Sequence, residues 1–127
     1  MSAMHVFEYA VLRVVPRVER EEFLNVGVVL YCRGLGFLQV RWLLPEARLH
    51  VLAPALDQAE VAARLRAFEH ICQGRLAGGV IGQLPVAERF RWLTATRSTV
   101  VQSSVLHPGR TTDAAATLDR LFAELVG

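Results

Sequence analysis

From His5 to Val15 the chain reads His-Val-Phe-Glu-Tyr-Ala-Val-Leu-Arg-Val-Val. Successive side chains of an extended segment point to opposite faces, and here both faces carry apolar residues. That pattern suits a central strand. Asn25 to Cys32 repeats it, with an unbroken apolar stretch from Val26 onward. Two such segments close together in sequence organise the fold around a sheet.

The rest of the chain reads as follows. Pro16 ends the first strand, and the charged stretch 17–23 predicts a turn or short helical turn. Arg33-Gly34-Leu35-Gly36 predicts a hairpin loop into a third strand, Phe37 to Leu43. There Leu38, Val40 and Trp42 share one side, and Gln39 and Arg41 the other. Gly27 inside the second strand predicts a bulge or a close neighbour, such as an aromatic ring packed over it. Pro45 opens a helical stretch to about Leu52. Asp57 then predicts an N-cap with Glu60 completing a capping box, and Val61, Leu65, Phe68 and Cys72 form one helical face ended by Gly74. A short helix follows from Pro85 to about Leu93. Thr99 to Leu106 predicts a fourth strand and Pro108-Gly109 a turn. Thr112 or Asp113 caps a last helix, with Leu118, Leu121, Phe122 and Leu125 as its buried stripe. The order β-β-β-α-α-β-α predicts an α+β domain: two layers, an antiparallel sheet of about four strands, and helices on one face. With 127 residues, no repeat and no linker, one domain spanning 1–127 is expected; the glycines at 74–82 mark a loop.

Charge narrows the chemistry. All 14 basic side chains are arginine and none is lysine. A P-loop, a protein-kinase site and Schiff-base catalysis all need a lysine and are excluded. The arginine excess fits a chain rich in Ala, Arg, Leu, Val and Gly, as GC-rich coding sequences tend to be. With 53% hydrophobic and 20% charged residues, the chain is a folded, core-rich one, and a partner or second copy is expected to cover some apolar surface. No apolar run approaches the roughly 20 residues needed to span a bilayer, and the first residues carry no secretion signal. The expected setting is therefore cytoplasmic and away from membranes, with Cys32 and Cys72 as reduced core thiols. His5, His50, His70 and His107 show no metal-ligand spacing, so neither metal nor cofactor is expected. Ser98, Ser103 and Ser104 sit in no nucleophile motif.

One segment concentrates charge of a single sign. From Arg89 to Thr112 there are four arginines, Arg89, Arg91, Arg97 and Arg110, and no acid. Arg89, Arg91 and Arg97 bracket a short helix, and Ser98 and Thr99 follow. Guanidinium forks, hydroxyls and loop N–H groups together can hold a phosphate or carboxylate. Arginine alternates with aromatic residues from Arg89 to Trp92, a pattern that serves base stacking. Four arginines neutralise few phosphates, which makes nucleic acid a weaker expectation. The competing reading pairs Arg97 with Glu19 or Glu22, fixing the 17–25 turn. In that reading Asn25 satisfies turn backbone groups.

Tyr9-Ala10-Val11-Leu12-Arg13, Pro16 and Glu19 to Leu30, followed by Arg89-Phe90-Arg91-Trp92-Leu93, Arg97-Ser98-Thr99 and Gln102, resemble the two motifs of the bacterial domain-of-unknown-function family 3037. With the Leu121-Phe122 helix, the resemblance covers essentially the whole chain. Glu21 stands where that family commonly has glycine and Thr96 where it commonly has proline; both departures concern local turn geometry. The resemblance implies a small bacterial cytoplasmic protein without an established activity, and hints at a protein partner. The leading expectation is thus a non-catalytic interaction or accessory module that binds a protein partner or self-associates. One alternative is an anion- or nucleic-acid-binding domain centred on residues 89–110. A second is a hydrolase with Glu19 or Glu22 facing Arg97 across a cleft.

Overall fold

The structure is a computed structural model that describes residues 3–16, 22–97 and 99–126. Among them, five strands form one antiparallel sheet: β1 (His5–Val14), β2 (Leu24–Cys32), β3 (Phe37–Trp42), β4 (Val101–Ser103) and β5 (His107–Thr111). The order is β3-β2-β1, and the far edge of β1 is shared. β4 pairs with its C-terminal half at Leu12–Val14, and β5 with its N-terminal half at His5–Tyr9. The helices are α1 (Glu46–Leu52), α2 (Gln58–Gln73), the single turn α3 (Gly79–Gly82), α4 (Val86–Leu93) and α5 (Ala114–Leu125).

The two apolar faces of β1 and β2 explain the architecture. Ala10, Leu12, Val14 and Val29 pack with Val61, Leu65, Phe68 and Ile71 of α2 and Phe90 and Leu93 of α4. Phe7, Val28, Leu30 and Cys32 point to the other face and pack against Ala114, Leu118 and Leu121 of α5. The α+β class and the antiparallel sheet agree with the sequence. The two-layer arrangement with helices on one face does not: α5 crosses to the second face and makes a third layer. A sheet apolar on both sides must be covered on both. The expected turn at Pro108-Gly109 is instead part of β5, where the proline sits on an edge strand that tolerates it. The expected fourth strand shrinks to Val101–Ser103. The turn expected over 17–23 falls mostly outside the described residues.

Local signals set the helix ends. The Asp57 side chain accepts from Glu60 N–H at 3.2 Å, and Asp113, not Thr112, accepts from Ala116 N–H at 3.0 Å. Glu60 does not complete a capping box; its carboxylate takes Arg64 at 3.3 Å. Gly27 lies opposite Trp42, beside a register shift at Leu12/Arg13, and a Cβ there would stand 3.0 Å from both Trp42 Cβ and Arg41 O. The bulge and a close neighbour are therefore both present, but the neighbour is the Trp42 Cβ and the Arg41 carbonyl and not an aromatic ring.

Candidate functional site

The four arginines of the acid-free segment do not converge. Arg89 turns inward from α4. Its Nε donates to Leu84 O at 3.0 Å, and its Nη1 to Ile71 O at 2.8 Å and Cys72 O at 2.9 Å. Those last two carbonyls belong to the C-terminal turn of α2. Arg89 thus caps α2 and joins it to α4. Arg91 is exposed on α4 and lines a cleft of about 550 Å³ with Glu8, Tyr31 and Arg33. Arg110 is exposed on β5, opposite Val6 of β1.

Arg97 occupies a third place. Its guanidinium lies 4.0 Å from the Trp92 ring centre and 6.0 Å from that of Phe68, and it donates to Trp92 O. Burial pulls its pKa below the ordinary guanidinium value. A cavity of about 280 Å³ opens here, lined by Arg64, Phe68, Trp92, Arg97, Thr99 and Val101. Thr99 is exposed, but its hydroxyl already donates to Val101 O at 2.8 Å. Ser98 lies outside the described residues.

Of the two expected acidic partners, the described one, Glu22, does not pair with Arg97. Glu22 is exposed and lines a separate cavity with Pro16 and Leu52 to Leu56, and no described carboxylate forms an ion pair with Arg97. Glu19 lies outside the described residues. Asn25 Nδ2 donates to Leu125 O at 3.1 Å, tying the end of α5 to the start of β2, while most of the turn it was expected to serve lies outside the described residues.

Ser104 and both cysteines are held inside the fold. Ser104 is buried; its hydroxyl accepts from Val11 N–H at 2.9 Å and donates to Val105 O at 2.8 Å. Both cysteines are free and buried, and burial raises the Cys72 pKa to about 12, which holds the thiol protonated and unreactive. Among the described residues no three His, Cys, Asp or Glu side chains cluster as a metal requires.

Two surfaces escaped the sequence reading. One is the Glu8/Tyr31/Arg33/Arg91 cleft, whose signal was Glu8, the single carboxylate within the apolar run of β1. The other is an apolar groove of about 510 Å³ lined by Phe23, Leu24, Ala47, Arg48, Val51 and Leu52. Its signal was α1, a seven-residue helix with Leu49 as its only buried residue.

Compared with known proteins, residues 9–126 match the model of a family described as a protein of unknown function, DUF3037. No curated protein and no solved structure matches the chain.

Proposed function

The chain belongs to the DUF3037 family, and on that premise we propose that it is a non-catalytic interaction module whose docking surface is the groove between the start of β2 and α1. The observation that carries this reading is the exposure of large apolar side chains around that groove. Val51 is 84% exposed, Phe23 49% and Leu52 36%. Clustered exposed apolar groups mark interaction surfaces, whereas single ones need no explanation. Arg13 lies 4.4 Å from the Phe23 ring centre, which favours a defined place for that ring. A second copy is the simplest partner, because an apolar patch can meet its own copy across a two-fold axis.

Size-exclusion chromatography with light scattering tests this on the wild type and on Val51→Asp. The wild type should run at twice the monomer mass and the variant, still folded by circular dichroism, at the monomer mass. A wild type that stays monomeric at its highest soluble concentration, or a variant that still dimerises, overturns self-association through this groove.

An anion-binding domain built on the whole 89–110 segment is not favoured, since its arginines serve separate places. The no-membrane expectation has one supporting fact: no described helix is long and apolar enough to cross a bilayer.

A further inference from the structure

The cleft bearing Arg91 is assembled from four parts of the fold. β1 supplies Val6, Phe7 and Glu8, β2 supplies Tyr31, the turn after it supplies Arg33, and α4 supplies Ala87 and Arg91. Its volume of about 550 Å³ lies in the range of small-molecule sites. Glu8 and Tyr31 are paired across the β1–β2 ladder, so carboxylate and phenol project side by side from the same face of the sheet. Tyr31 is held against Phe90 at 5.2 Å between ring centres, and Arg91 is the next residue of α4. Gly34 brings the Arg33 turn hard against His5; a Cβ at Gly34 would overlap the imidazole.

Among the described residues Arg48, Arg66, Arg75 and Arg110 also form no ion pair, and what sets Arg33 and Arg91 apart is that they share one cleft with a carboxylate. Arg89 and Arg97 donate to backbone carbonyls, while Arg41, Arg64 and Arg120 are paired with acids. Arg33, Arg91 and Glu8 form no ion pair among the described residues, although all three line one cleft. Two unpaired guanidiniums and one unpaired carboxylate form a site of net +1. Each guanidinium can take a carboxylate bidentately, and Glu8 can take an ammonium, with the Tyr31 hydroxyl as a further donor or acceptor. We infer that this cleft binds a small dicarboxylate bearing an ammonium group, the chemistry of an acidic amino acid.

Isothermal titration with L-glutamate and with glutarate, which lacks the ammonium, separates the parts of the inference. L-Glutamate should bind saturably and more tightly than glutarate. Arg33→Gln and Arg91→Gln should each weaken L-glutamate by about tenfold or more, the loss of one charge-assisted pair. Glu8→Gln should abolish the preference for L-glutamate over glutarate. The two arginines are exposed, so these substitutions leave the core intact, and circular dichroism checks the fold. Absence of saturable L-glutamate binding, equal binding of the two ligands by the wild type, or unchanged binding by the arginine variants overturns the assignment. Val51→Asp lies at a different surface and should bind L-glutamate as the wild type does.

Discussion

Arg89 and Arg91 stand two residues apart with the same side chain, and the fold puts them to opposite uses. Arg89 faces the end of α2 and donates to two carbonyls of its last turn; Arg91 faces solvent and a cleft. Their replacement should differ accordingly. Arg89→Met should lower stability by about 2–3 kcal/mol in urea denaturation, because three charge-assisted bonds are lost and Cys72 O and Leu84 O lose the guanidinium as partner. Arg91→Met should stay within about 0.5 kcal/mol of the wild type. An equal effect of both would mean that Arg89 is not the cap described here. The sequence marked both residues as one cluster because it records spacing along the chain. Which way each guanidinium points depends on the neighbours of α4, and those come from residues far away in sequence.

At the level of elements, most boundaries were legible because their causes are local. Asp57, Asp113 and Gly74 act on backbone groups within a few residues, and each end falls where the signal placed it. Glu60 shows where a local signal meets competition: Arg64, one turn on, takes the carboxylate that a capping box would use. Asp57→Ala should therefore cost about 1 kcal/mol, and Glu60→Ala no more than about 0.5 kcal/mol, the scale of an exposed i,i+4 pair. A Glu60→Ala loss as large as that of Asp57→Ala in thermal denaturation would restore the capping box. β5 was not legible. Pro108-Gly109 is strong turn chemistry on its own, and only the free edge of β1 makes a strand the better outcome.

For the whole molecule, the third layer is decisive. α5 buries Leu118 and Leu121 against a face of the sheet that α2 and α4 cannot reach, and Arg41 ties it to β3 through Asp119 at 2.6 Å and the Phe122 ring at 4.6 Å. Both faces then belong to one cooperative unit. Leu118→Ala should cost about 2–5 kcal/mol and shift a single unfolding transition followed by fluorescence and circular dichroism together. A separate early loss of helical signal, with the main transition unmoved, would show α5 to be peripheral.

By itself the sequence determined the α+β class, the central strands, the helix caps and the burial of the two thiols. Each follows from periodicity, local hydrogen bonding or composition, which operate over a few residues. It also held the sign of the third layer in the two apolar faces of β1 and β2, although the order of elements pointed to helices on one side. Only the tertiary structure decided which arginines share a cleft with a carboxylate. Arg33 and Arg91 are 58 positions apart in numbering, and Glu8 and Tyr31 become neighbours through strand pairing. The direction of a charged side chain is set by the groups that its fold brings near, and spacing along the chain does not encode those groups.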